Sequence, residues 1–210
     1  MKNGATTDAL AEQPRRAPTQ QRSRDRVERI LAAATAIIEE AGSDAMRMSD
    51  LAERAEVSIG SLYQYFPDKG AVIRTLAERY NAQGRACIDE ELADIGDGPE
   101  LEKAFGRLVD IYYGMFLDEP VMRDIWSGTQ ADKGLRDIDL ADSRANGATL
   151  AGVMARLRPD ADRQGIEQSA FLIMHLGEAT MRLAISVECK EGDALVEAYK
   201  RMALREFRFE

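Results

Sequence analysis

The sequence has one histidine and two cysteines in 210 residues, and this scarcity excludes whole classes of chemistry. A single His175 cannot supply a multi-histidine zinc site, and no E-x-x-H pair exists for a di-iron bundle. Cys87 and Cys189 lie 102 positions apart, so there is no C-x-x-C clip for zinc or redox work. Both stand in helical, partly apolar surroundings and read as buried, inert thiols. Neither a phosphate-binding P-loop, a G-x-G-x-x-G turn nor a G-x-S-x-G elbow is present. No metal, cofactor or catalytic role is therefore expected.

Long apolar runs are missing too. The longest, Ile111 to Leu117, is seven residues against the ~20 that span a bilayer. The first twenty residues show no apolar segment followed by a cleavage site, so a secretory signal is not expected. The expectation is a soluble, cytoplasmic protein without a membrane partner. Valine is sparse, at 8 residues against 31 alanines. That composition disfavours a large sheet and favours helix.

Net charge is −9, but it is unevenly spread. Residues 1–80 carry 12 basic and 12 acidic side chains; residues 81–210 carry 16 and 25. Within the first part, Arg15, Arg16, Arg22, Arg24, Arg26 and Arg29 face only Asp25 and Glu28. Distant charge is screened within about 8 Å at physiological salt, so a local basic patch decides attraction to a polyanion. The same run is also compatible with a solvated arm.

Residues 1–21 lack periodicity and are expected to form a disordered arm. From Val27 to Ala41 an apolar stripe follows helical spacing, and Gly42 stands where a helix commonly stops. Ser49 reads as the N-cap of a short helix, Ser58 as the cap of a second ended by Pro67, and Asp68 as the cap of a longer one. Two short helices braced by long ones describe a helix-turn-helix unit, expected over residues 22–80 with its motif at 47–66.

The acidic remainder, residues 81–210, reads as a helical bundle. Helices are expected from Pro99, from Pro120, over 135–158, over 162–188 and over 193–208. The apolar circumference from Leu108 to Leu117 places that helix at the centre of the bundle. The expected fold is all-α: an N-terminal three-helix reader followed by a C-terminal bundle.

The informative stretch is Arg47 to Phe66, RMSDLAERAEVSIGSLYQYF. Its second helix offers Ser58, Ile59, Gly60, Ser61, Tyr63, Gln64 and Tyr65 and no carboxylate, which suits a phosphate-lined groove. Gly60 costs about 1 kcal/mol of helix stability and permits close backbone approach. The run SIGSLYQYFPDK, Ser58 to Lys69, resembles the recognition-helix signature of the tetracycline-repressor (TetR) family of bacterial transcriptional regulators. The resemblance covers about 60 residues, from Arg22 to Tyr80. Glu56 departs from it, standing where the family usually has glycine or another turn-tolerant residue; a positive φ there would cost roughly 1 kcal/mol.

The resemblance implies a homodimer that reads a double-stranded, palindromic operator and answers to a small-molecule effector. It implies phosphate contacts from Tyr63 and Lys69, base-edge proximity for Ile59, Ser61 and Tyr65, and close approach at Gly60. Arg47, Ser49, Ser58 and Gln64 complete the expected DNA-binding set. Repressor is the commoner sense within the family; an activating or ligand-independent DNA-binder stays open. A helical-bundle enzyme using His175 and Glu178 is a further alternative, already disfavoured by the lack of a second catalytic group.

For the effector, the candidate lining is Tyr112, Tyr113, Phe116, Met122, Trp126, Met154, Phe171, His175 and Glu178, with Met174 and Arg182 beside them. Methionine and aromatic residues suit a mostly apolar pocket, and equally a plain core. His175, Glu178 and Arg182 fall on one helix face, as pocket anchors or as a self-satisfied ion-pair ladder. Dimerisation is expected through 162–188 and 193–208. The stripe Ile166, Ala170, Ile173, Gly177, Thr180 and Ala184, flanked by Phe171, Met174, Met181 and Ile185, is wider than one bundle needs, so part of it, Ala170 included, is expected to meet its copy.

Overall fold

The computed structural model describes residues 17–128 and 131–207. Among them are nine α-helices and one 3-10 turn, with no strand. Helix α1 spans Ala17–Ala41, the 3-10 turn Ser43–Ala45, α2 Met48–Arg54, α3 Ile59–Tyr65 and α4 Lys69–Leu92. Then come α5 Gly98–Asp118, α6 Pro120–Gly128, α7 Lys133–Leu157, α8 Arg163–Ala184 and α9 Cys189–Phe207. The arm expected over 1–21 lies mostly outside the described residues, but α1 already includes 17–21. None of the described helices is long and apolar enough to cross a membrane.

Local sequence explains most boundaries. Gly42 ends α1 at φ 79°, the left-handed region glycine enters without a Cβ penalty. Side-chain oxygens of Ser58, Asp68, Asp97, Asp132 and Asp162 each accept a backbone N–H in the first turn of the following helix. Such a cap is worth about 1 kcal/mol. Ser49 is not one of them. Arg47 occupies the cap position of α2, and the Ser49 hydroxyl, already inside the helix, bonds Asp50 at 2.8 Å.

Most of the α1 stripe packs as its spacing predicts: Ile30, Leu31, Ala34 and Ile38 are buried in one core with Leu51 and Ala52 of α2 and Leu62 of α3, while Ala41 at its end is exposed. Burial of each such leucine or isoleucine contributes roughly 1.5–3 kcal/mol. Between α2 and α3 the chain makes a Schellman closure: Val57 N–H donates to Ala52 C=O and Glu56 N–H to Glu53 C=O, both at 3.0 Å. Glu56 sits at φ 53°. The glutamate therefore occupies a left-handed position.

Helix α4 runs unbroken from the Asp68 cap to Leu92, straight through the expected division at 80/81. It packs on α5 and α7, and α8 lies between α7 and α9. At Gly147 a Cβ would meet the Phe171 Cα at 2.7 Å, so glycine sets the close approach of α7 to α8. Gly177 similarly admits the Tyr199 hydroxyl, whereas Gly106 and Gly114 face open space.

Three expectations need correction. Helix α5 is not enclosed all round, because Ile111 and Leu117 are exposed. Cys189 is exposed, and Cys87 is half-buried rather than fully inside. The stripe taken for the dimer face points inward: Ile166, Ala170, Ile173, Gly177 and Ala184 all belong to the protomer's own interior. The reason is that α8 carries two apolar faces, and the outward one is Leu172, Leu176 and Leu183.

Candidate functional site

Helix α3 is held by its inner side and left open on the other. Leu62 is fully buried and fixes the helix in the three-helix core. Two contacts from α1 add to this: the Arg26 guanidinium donates to Ser61 Oγ, and Ser23 Oγ donates to the Tyr65 hydroxyl, each at 3.2 Å. Ile59 (46% exposed) and Tyr63 (50%) project outward. Gln64 is exposed, and a Cβ on Gly60 would meet nothing within 4 Å. Exposed Arg47 and Ser49 stand at the start of α2, and exposed Arg22, Arg24 and Arg29 lie on α1. An unoccupied helix face free of carboxylate, with arginines on a neighbouring helix, is chemically suited to a nucleic-acid groove.

The ten residues expected at DNA thus divide in two. Ile59, Gly60, Tyr63, Gln64 and Arg47 are open to solvent, as is Ser49, although its hydroxyl is engaged with Asp50. The other four spend polar atoms on the protein itself. Ser58 Oγ accepts Ser61 N–H at 3.1 Å, and Ser61 and Tyr65 are tied to α1. Lys69 Nζ donates to the carbonyls of Ser43 and Asp44 at 3.1 and 3.2 Å, satisfying acceptors of the 3-10 turn.

Beyond this unit, α4, α5, α7 and α8 line a cavity of about 90 Å³, to which Met122 of α6 and Tyr199 of α9 also contribute. Its apolar wall includes Ile88, Leu108, Val109, Met115, Met174 and Met181. The polar side is built by Asp142, Ser143 and Asn146 of α7 and Glu178 of α8. Asp142 is paired with Arg85 and accepts from Asn146 Nδ2 at 2.8 Å; Glu178 is paired with Arg182 one turn on. Burial pushes the Asp142 carboxyl above the usual carboxylate range, against the pull of Arg85. Burial also drives the Tyr112 and Tyr199 phenols well upward, so both stay neutral hydrogen-bonding groups. Tyr199 already donates to Ile173 C=O at 2.7 Å.

Of the nine residues expected to line a pocket, Tyr112, Met122 and Glu178 do so. The other six serve elsewhere. Tyr113 donates to Asp193 at 3.2 Å, while Phe116 and Trp126 stack edge to face at 6.2 Å in the core. Met154 is fully buried, and Phe171 lies beneath the Arg144 guanidinium at 4.8 Å. His175 Nδ1 sits 3.1 Å from Ser143 Oγ. Sequence reasoning missed Asp142, Asn146 and the α4 wall of Asn81, Gly84 and Cys87. For α7 a signal existed: Asp139, Ser143 and Gly147 recur at i, i+4 and i+8, a polar and small stripe that faces inward.

Residues 99–208 match the family described as the tetracyclin repressor-like C-terminal domain, and residues 30–76 match bacterial regulatory proteins of the tetR family. The HTH-type transcriptional repressor KstR of Mycolicibacterium smegmatis is 50% identical over 46 residues, 22% of each chain. KstR of Rhodococcus jostii is 39% identical over 66 residues, 30% of this chain and 31% of that one. These matches span less than a third of the curated relatives' length. A TetR-family transcriptional regulator from Streptomyces coelicolor superposes with a TM-score of 0.65 at 26% identity, over 87% of this chain and 96% of that one. FadR from Bacillus subtilis, solved in complex with stearoyl-CoA, shares the fold with a TM-score of 0.59 at 17% identity, over 86% and 96% of the two chains.

Proposed function

The chain belongs to the tetracycline-repressor family of DNA-binding transcriptional regulators, and from that premise we propose that it is a homodimeric repressor released from a palindromic operator by a small, mostly apolar molecule. One observation carries the reading: α4 is a single rod whose first turn adjoins α3 and whose later turns, from Tyr80 to Ile88, wall the cavity. A cavity of about 90 Å³ is smaller than the about 150 Å³ that accommodates benzene. An effector larger than this reaches past the present walls or displaces them, and the methionines lining it allow such displacement. Displacement of α4 then changes the spacing of the two readers in a dimer. A coupling of ~1–3 kcal/mol would weaken operator binding about 5- to 150-fold.

Ile59, Gly60, Tyr63 and Gln64 are the residues we assign to the groove, with Arg47 and Ser49 on flanking phosphates. Ser58, Ser61, Tyr65 and Lys69 position that face through the contacts described above. The dimer forms over Leu172, Leu176 and Leu183 of α8 and Met202 of α9, large exposed apolar groups of the kind that mark an interaction face. That the Bacillus subtilis neighbour was solved in complex with stearoyl-CoA supports a small-molecule effector for this fold. Selection from random DNA is the test. The full chain should enrich a two-fold symmetric sequence, and Gln64→Ala should change its preferred bases at a cost of ~1–3 kcal/mol per lost contact. Enrichment of no sequence overturns the reading.

A further inference from the structure

Resting on the effector-release reading, we propose that the cavity takes a hydrophobic molecule bearing a protonated amine, and rejects carboxylates and phosphates of the same body. The lining contains two carboxylates, Asp142 and Glu178, and no lysine, arginine or histidine. The carboxylates stand on α7 and α8, while α5 supplies the apolar or aromatic Leu108, Val109, Tyr112 and Met115. The site is therefore amphiphilic, with an apolar body region and an acidic end.

The charge balance around that end is also negative. Asp139, Asp142 and Glu178 are countered by two arginines, Arg85 and Arg182, each already engaged with one carboxylate. Asp139 is 7% exposed, and its Oδ1 has no hydrogen-bond partner. Arg182 and His175 act on it only through their fields. An entering ammonium reduces this surplus and donates to carboxylate oxygens, a charge-assisted bond of the stronger kind. An entering anion adds to the surplus and meets no lining cation, which a low-dielectric site penalises heavily. An acyl chain carrying phosphates is accordingly a poor fit.

The experiment titrates the full-length protein at pH 7 with 4-phenylbutylamine, 4-phenylbutanol and 4-phenylbutanoate, which share one apolar body. Calorimetry is expected to rank the amine about tenfold tighter than the alcohol, with the carboxylate weakest. Asp142→Asn and Glu178→Gln should each reduce the amine's advantage while keeping alcohol binding. The ranking on the unmodified protein needs neither variant to fold. A carboxylate that binds as tightly as the amine, or a failure of all three to bind, overturns the assignment. Operator affinity is measured in the same samples. Preferential amine binding with unchanged operator affinity leaves the ligand class standing and removes the release mechanism. Preferential carboxylate binding that frees DNA does the reverse.

Discussion

The Asp124 carboxylate on α6 accepts a hydrogen bond from the backbone N–H of Ser43 at 3.1 Å. This contact spans 81 positions of sequence and joins the C-terminal bundle to the 3-10 turn that precedes α2. Lys69 grips the same turn from α4, through the carbonyls of Ser43 and Asp44. Because Met122 of α6 also touches the cavity, one short helix contacts both regions.

Asp124→Ala should therefore loosen the turn and weaken operator binding without any ligand. A net hydrogen bond is worth about 0.5–1.5 kcal/mol, which corresponds to a loss of roughly two- to tenfold. Asp124→Asn keeps an acceptor oxygen and should stay close to the unmodified protein. Fluorescence anisotropy against one operator compares the three. Equal affinity for the alanine variant would remove Asp124 from the coupling path.

Leu176, 41% exposed on α8, tests the proposed dimer face against a core position. Leu176→Glu is expected to give a folded monomer with little operator affinity, because one short reader then addresses one half-site. Ala170 on the opposite side has no exposed surface, so Ala170→Glu should disrupt folding instead. Sedimentation velocity and circular dichroism distinguish these outcomes. A dimeric Leu176→Glu protein would place the interface elsewhere.

Much of this fold was legible because helical signals are local. The α1 stripe, the Gly42 stop and the Ser58 and Asp68 caps each depend on residues within one or two turns. Which face of an apolar helix turns inward depends on its partners. Helix α8 illustrates this, since Ala170 and Leu172 are both apolar but only the first meets the bundle. Helix α3 was legible in kind, yet the partners of Ser61 and Lys69 lie 35 and 26 residues before them. The polar end of the cavity was hidden for the same reason. Asp142 and Asn146 look like ordinary surface residues of α7 until α4 and α8 cover them.

Glu56 offers a stability test that leaves the site untouched. At φ 53° a side chain bearing Cβ is strained by about 1–2 kcal/mol, and glycine returns part of that gain through its unfolded-state entropy. Glu56→Gly should stabilise the protein by about 0.5–1 kcal/mol, raising Tm by roughly 1–4 °C for a chain of this size. Calorimetry measures the change. A lower Tm would mean that the Glu56 side chain makes a stabilising contribution larger than its backbone strain.

Asp139 makes the stability of the bundle depend on pH in a definite direction. Burial raises its carboxyl above the usual value and Asp142 pushes the same way, while Arg182 and His175 oppose them. A carboxyl raised in the folded state favours folding when protonated. That contribution is complete below the unfolded value, near 3.8, and is lost as pH rises through the folded one. Once pH has passed the folded value, the ionised group therefore destabilises the fold, and its unpartnered Oδ1 adds to the cost. Asp139→Asn should raise Tm at pH 7, and the difference from the unmodified protein should shrink steadily toward pH 4. The same variant lowers the negative surplus beside the cavity, so it should also weaken 4-phenylbutylamine relative to 4-phenylbutanol. Paired thermal melts from pH 4 to pH 8 decide the first point. A difference independent of pH would show that the substitution acts through shape or hydrogen bonding and not through the buried charge.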